Sequence, residues 1–170
     1  GNYQITTHKG QRMSASRAYL WPVMSRSNLT VLKKALASKI LIRDKRAYGV
    51  EYLKSGKLHK VEASREVILC AGSINSPQLL QLSGIGPKEV LESASVRMIH
   101  DSPAVGKNLQ DHLGVSYFYK SKVPTLNDQL RPILGKVYQG IRYILTRTGP
   151  LSLSVNQSGG FIRTREGLNK

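Results

Sequence analysis

The sequence predicts a layered fold of the α/β class, or its α+β variant, on three observations. The first is a continuous apolar run at residues 67–71 (Val-Ile-Leu-Cys-Ala), which a glycine turn and a helical pattern follow at once. The second is a series of short alternating segments between residues 29 and 63, a pattern that is typical of strands. The third is the stretch 132–146, where apolar residues recur at helical spacing. Strands and helices are therefore expected to pack as layers around a core.

The region before the apolar run is expected to form a β-meander. Its segments alternate or carry β-branched residues, as strands in a half-buried sheet do. Polar turns separate the later segments, and Gly56 in the second of them is a residue that turns favour. The expected strands are 29–33, 39–43, 48–53 and 58–63, with turns at 44–46 and 54–57.

Residues 67–86 predict a buried strand, a tight turn, a short helix and a glycine stop. A continuous apolar run is typical of a strand that is covered on both faces. Gly72 permits a sharp exit from that strand, and Gly84 is expected to end the helix. Ser76 is the expected N-cap, and Pro77 fits the first helical position. The helix N-terminus is then a favourable site for an anion such as a pyrophosphate, although a plain connection that binds nothing is the alternative that these residues leave open.

Further elements are expected on both sides of this unit. A short strand and a helix precede the meander, and a short helix, a short strand and a long polar loop follow residue 86. Tyr117 and Tyr119 are expected on one side of a later strand, ahead of the last helix. These elements are 3–7, 14–20, 87–94, 96–100, 101–114 and 132–146.

Composition favours a folded piece of modest size. The chain has 170 residues, of which 40% are hydrophobic, enough to bury a core. The single cysteine, Cys70, lies in the apolar run, where a small core residue is expected and no internal disulfide can form. No apolar stretch reaches the ~20 residues of a membrane span. We therefore expect a reduced, cytoplasmic setting, with peripheral membrane association left open.

The net charge of +16 is distributed unevenly along the chain. Residues 1–66 carry 14 basic and 4 acidic side chains, residues 67–114 carry 3 and 4, and residues 115–170 carry 9 and 2. Such an excess would suit a basic nucleic-acid or anion-binding module, which is one interpretation of the charge. However, no motif for reading nucleic acid and no aromatic ladder accompany the lysines, so no specific nucleic-acid partner is expected.

The fifteen residues 72–86 resemble the second signature of the glucose-methanol-choline (GMC) family of FAD-dependent oxidoreductases. They begin with Gly-Ser, carry Ser-Pro in the middle and end with Ser-Gly-Ile-Gly. Other stretches are similar to the family in the same order, including Val-Gly-Lys-Asn-Leu-Gln-Asp-His, and the last ones resemble choline-dehydrogenase-like members. These stretches are 12–20, 26–31, 105–112, 149–151 and 159–163.

The resemblance implies an internal fragment of an FAD-dependent oxidoreductase that acts on the CH–OH group of an alcohol or a choline-like substrate. Residues 1–113 would be part of its FAD-binding domain, and residues 114–170 would begin its substrate domain. The family's dinucleotide glycine fingerprint and its catalytic histidine have no counterpart here. No catalytic residue is therefore assigned, and the isolated chain is expected to be inactive. FAD and a small alcohol are the implied partners, with oxidase and dehydrogenase chemistry and the oligomeric state left open.

The same resemblance implies eight cofactor-binding positions. Ala37 stands where the family usually has a valine whose backbone pairs with the adenine, and a main-chain contact survives the smaller side chain. Asp111 and His112 have an acid/base pair as one interpretation, but hydrogen bonding within their loop is favoured, because a general base must first reach its proton. No ligand spacing among histidines and the cysteine predicts a metal. The eight positions are Ala37, Ala71, Gly72, Ser73, Asn75, Asn108, Asp111 and His112.

Overall fold

The computed structural model describes residues 4–153, 159, 160, 165 and 167. The chain divides into two compact units. Residues Val31–Val115 form the first, called here the motif unit because it contains residues 72–86. Residues Gly1–Thr30 and Ser116–Lys170 form the second, called the flanking unit. Each unit contains both strands and helices, so the predicted mixed class is confirmed.

The described residues form seven strands and four α-helices, together with single helical turns at Ser16–Leu20, Trp21–Val23 and Pro150–Ser152. The strands are β1 (Thr7–His8), β2 (Gln11–Arg12), β3 (Leu36–Arg43), β4 (Arg46–Lys54), β5 (Lys57–Glu62), β6 (Ile85–Gly86) and β7 (His100–Asp101). The helices are α1 (Gly72–Leu82), α2 (Lys88–Ser93), α3 (Leu126–Leu130) and α4 (Ile133–Thr146).

The meander of the motif unit is an antiparallel sheet with the strand order β3-β4-β5. Both of its connections are two-residue turns in which each central residue has a positive φ, 49° and 61° at residues 44 and 45 and 50° and 74° at residues 55 and 56. Turns of this kind match the right-handed twist of the strands that they join. The three later predicted strands are thus confirmed, whereas the strand predicted at 29–33 is wrong, because the sheet begins only at Leu36.

The apolar run 67–71 is not the doubly covered strand that its composition predicts. Within the described part of the chain, no strand pairs with it. Val67 and Leu69 are half-buried, but Ile68 is 75% exposed and Cys70 is exposed, so the prediction of a core cysteine is also wrong. A continuous apolar run is buried on both faces only where other elements cover both. In this structure the rest of the motif unit covers only the face of the run that carries Val67 and Leu69.

Helix α1 packs on the edge strand β3 and forms the core of the motif unit with it. Ile40 from β3, Leu79 from α1 and Leu91 from α2 are buried, and Ser83 just after α1 has no exposed surface. Gly84 then reverses the chain with a φ of +87°, as a residue just past a helix end often does. The predicted glycine stop is confirmed.

Strands β6 and β7 form a parallel pair in the motif unit, and β6 contacts α1. The carbonyl oxygen of Gly84 accepts hydrogen bonds from the backbone N–H groups of Ile99 (2.8 Å) and His100 (3.1 Å). Helix α2 confirms the helix predicted at 87–94. The strand predicted at 96–100 is shorter than expected, because only β7 pairs. The segment 102–114 contains no helix or strand, as predicted for a long loop.

The flanking unit contains the β1-β2 hairpin, helices α3 and α4 and the three single helical turns. The Tyr143 hydroxyl of α4 donates a hydrogen bond to the carbonyl oxygen of Gly10 in the hairpin turn (3.0 Å). Helix α4 confirms the helix predicted at 132–146, but its apolar residues are exposed and Gln139 is its buried residue. The strand predicted at Tyr117 and Tyr119 is wrong, since both residues lie in exposed, irregular chain.

Helix α3 begins with a reciprocal cap between Thr125 and Asp128. The Thr125 backbone N–H and hydroxyl both donate to Asp128 Oδ2, at 2.6 and 3.0 Å. These hydrogen bonds stabilise the carboxylate and hold the pKa of Asp128 below its usual value. None of the described helices combines the length and the apolar character that crossing a bilayer requires.

Candidate functional site

Helix α1 begins at Gly72, five residues earlier than the sequence predicts. Ser76 is therefore not the N-cap, and Pro77 lies inside the helix instead of opening it. The Ser76 hydroxyl instead accepts a hydrogen bond from the backbone N–H of Ala71 (3.1 Å), which holds the turn from within the helix. Gly72, with a φ of +86°, supplies the change of direction that lets the helix start there.

The first turn of α1 presents backbone N–H groups to solvent. Among the residues that the structure describes, no side chain caps this helix end, and residues 71–75 are all exposed. The first N–H groups of a helix have no partner within the helix, and they carry its partial positive charge. A Cβ added at Gly72 would meet nothing within 4 Å, so the main chain is open to a ligand at this point. The predicted site residues Ala71, Gly72, Ser73 and Asn75 all lie here.

A cleft of about 540 Å³ lies between one face of α1, from Ser73 to Gln81, and the loop 106–110. Its lining joins the two most distinctive motifs of the sequence, which are far apart along the chain. Lys107 is the charged residue of the lining, which includes no acidic side chain. The lining residues are Ser73, Ile74, Pro77, Gln78, Gln81, Gly106, Lys107, Asn108, Leu109 and Gln110.

The amide of Gln81 fixes the loop to α1. Its Nε2 donates a hydrogen bond to the carbonyl oxygen of Val105 (3.3 Å). Asn108 in the loop has a φ of +57°, a conformation that asparagine tolerates better than most residues. The sequence-based prediction did not include Gln78 and Gln81. Gln78 and Gln81 are three residues apart and lie on the same helix face as Ile74 and Pro77. That spacing was the sequence signal that could have placed them in the site.

Of the eight predicted site residues, Ser73 and Asn108 line this cleft, and the other three at the start of α1 lie next to Ser73 but outside the lining. Ala37 is exposed at the start of β3, opposite Tyr52, where the register of the strand pair shifts before Lys39. Asp111 and His112 are exposed, and Asp111 Oδ1 accepts a hydrogen bond from the backbone N–H of His112 (2.8 Å). That contact is a hydrogen bond between adjacent residues of the loop. The structure thus brings Ser73 and Asn108 together.

A second cavity of the motif unit differs from this cleft in its chemistry. It has a volume of about 360 Å³ and lies among aliphatic side chains of β3, the apolar run and α1, including Ile40, Leu69 and Leu80. None of the eight predicted site residues lines it. The described residues also contain no group of three or more His, Cys, Asp or Glu residues that could hold a metal ion. The cleft at α1 is the candidate cofactor site because two of the predicted site residues, Ser73 and Asn108, line it.

Comparison with known proteins finds choline dehydrogenases among the relatives of this chain. The chain is 50% identical over 169 residues to an oxygen-dependent choline dehydrogenase from Photobacterium profundum. The matched region covers 99% of this chain and 30% of that protein. The chain is 44% identical over 164 residues to an oxygen-dependent choline dehydrogenase from Staphylococcus aureus, with coverage of 96% of this chain and 29% of that protein. The chain thus spans less than a third of the length of these relatives.

A solved structure agrees in fold. An FAD-dependent oxidoreductase from Chaetomium thermophilum superposes with a TM-score of 0.75 and 35% sequence identity, over 85% of this chain and 26% of that chain. The GMC oxidoreductase family itself matches residues 1–114, which include the whole motif unit except its last residue. The chain therefore belongs to the GMC oxidoreductase family.

Proposed function

We propose that this chain forms part of the FAD-binding wall of an enzyme that oxidises the CH–OH group of choline or a choline-like alcohol. The observation that carries the proposal is the cleft in which the open N-terminus of α1 meets the loop 106–110. The choline dehydrogenases at 50% and 44% identity support the substrate class. These relatives do not support the alternative of a basic nucleic-acid module.

The residues of the cleft fit the pyrophosphate of FAD. Exposed N–H groups at the start of α1 are donors for phosphate oxygens, and the helix end favours negative charge. Lys107 adds a cation, and the lining includes no carboxylate to repel the ligand. Next to Ser73 of the lining, Gly72 has no side chain and leaves room for close approach to the main chain. FAD, when bound, supplies the hydride acceptor, so the part of these residues is to bind and orient it.

Three further assignments belong to this proposal. The exposed Ala37 at the start of β3 offers its backbone to the adenine, as the family resemblance implies. Residues 1–113 belong to the FAD-binding domain and residues 114–170 begin the substrate domain, which the family match to residues 1–114 supports. A cytoplasmic location is proposed on the single, unpaired cysteine Cys70.

Anaerobic addition of choline tests the proposed function. The protein that carries this sequence is expected to purify with the absorption bands of oxidised FAD, and choline is expected to bleach them as the flavin is reduced. Betaine, which keeps the trimethylammonium group but has no alcohol, is the control and should leave the bands unchanged. A flavin-free protein that does not take up FAD would contradict the proposal. The isolated 170-residue chain should show no turnover.

A further inference from the structure

Ser83 is a fully buried polar residue at the junction of α1 and β3. It has no exposed surface, whereas serine in proteins is mostly exposed. Its hydroxyl donates a hydrogen bond to the carbonyl oxygen of Leu79 (2.6 Å) and accepts one from the backbone N–H of Ile40 (2.8 Å). The hydroxyl thus joins the end of α1 to a strand 43 residues earlier in the chain.

The Ser83 hydroxyl accepts a hydrogen bond from the backbone N–H of Ile40, which has few other acceptors within reach. β3 is an edge strand, and β4 is its partner in the sheet. N–H groups on the other side of an edge strand need an acceptor outside the sheet. Ile40 is itself buried, so water has little access to its N–H if the hydroxyl is removed. Loss of the hydroxyl would therefore loosen the contact between α1 and β3.

The two elements that Ser83 joins carry the proposed cofactor contacts. β3 contains Ala37, three residues before Ile40, and α1 starts at Gly72. The eleven residues of α1 span about 16 Å, so a tilt of roughly 5° at the Ser83 end would move the Gly72 end by roughly 1.4 Å. Binding sites require their groups to be held within about 0.5 Å.

We infer that Ser83 is a positioning residue for FAD, which it does not touch: its hydroxyl holds the adenine-side strand β3 and the pyrophosphate-side end of α1 in one geometry. The inference rests on the proposed function. Ser83 then contributes to cofactor affinity as well as to the packing of the core.

The test measures FAD affinity and stability in the same variants of the protein that carries this sequence. Ser83→Ala removes the hydroxyl and is expected to raise the FAD dissociation constant at least fivefold, measured by flavin fluorescence. Leu91→Val is the matched control, because Leu91 is equally buried in the motif unit but lies on α2. It should lower the denaturation midpoint while FAD affinity stays within twofold.

Ser83→Thr keeps the hydroxyl and serves as the second variant if Ser83→Ala does not fold. It is expected to bind FAD within about threefold of the unsubstituted protein. Equal losses of affinity in Ser83→Ala and Leu91→Val, unchanged affinity in Ser83→Ala, or a loss in Ser83→Thr as large as in Ser83→Ala would each overturn the inference. An unsubstituted protein that fails to bind FAD would instead overturn the proposed function, and the inference with it.

Discussion

Replacement of Gly84 by alanine is expected to lower the free energy of unfolding of the motif unit by about 2–5 kcal/mol. Gly84 has a φ of +87°, where a residue with a Cβ is strained. Its added Cβ would also lie 2.5 Å from the carbonyl oxygen of Arg97 and 3.2 Å from the backbone nitrogen of Ile99. Both atoms belong to the main chain, so neither can move aside as a flexible side chain would.

The Gly56→Ala variant separates the backbone strain from the steric clash with main-chain atoms. Gly56 also has a positive φ, +74°, but a Cβ there would meet nothing within 4 Å. Only the backbone strain of about 1–2 kcal/mol is expected for it. Urea denaturation of both variants, followed by far-UV circular dichroism, measures the difference. Equal midpoints for the two variants would show that the close approach of Gly84 to the main chain of Arg97 and Ile99 contributes nothing to stability.

Replacement of Gly72 by alanine is expected to weaken FAD binding at least tenfold. The position has a φ of +86° and open space around it, which are also the properties of Gly56. The two alanine variants therefore carry a similar backbone strain, but only position 72 is next to Ser73 of the cleft lining, where the pyrophosphate is proposed to bind. FAD titration followed by flavin fluorescence compares them directly.

The matched pair makes the result at Gly72 informative about the ligand. Gly56→Ala should bind FAD within about twofold of the unsubstituted protein, since the second hairpin turn does not line the cleft. If both variants lost affinity to the same extent, backbone strain alone would explain the effect. In that case the first turn of α1 would not be a contact surface for the cofactor.

The features that the sequence predicts correctly are set by local patterns. The hairpins at residues 44–45 and 55–56 follow from alternating segments and turn residues next to each other in the chain. The end of α1 at Gly84 follows from a glycine just after the last helical turn. In each case the deciding residues lie within a few positions, so the sequence alone is sufficient.

The features that the sequence misses depend on partners elsewhere in the chain or on competing local signals. The run 67–71 is apolar throughout, but its burial depends on which elements cover it. The pair Ser76 and Pro77 is a strong signal for a helix start, yet the positive φ of Gly72 starts α1 earlier. The motifs at 72–86 and 105–112 are each visible in the sequence. Their meeting at one cleft, through Gln81 and Val105, is a tertiary contact that local patterns do not contain.

Amide hydrogen exchange with and without FAD tests the central claim most directly. In the protein that carries this sequence, FAD is expected to protect the amides at the start of α1, residues 72–75, of which 73 and 74 line the cleft, and those of the loop 106–110. The hairpin turn at 55–56 should exchange at the same rate in both states and serves as the internal reference. Bound FAD that leaves both segments unprotected would contradict the account, because the cofactor would then lie elsewhere.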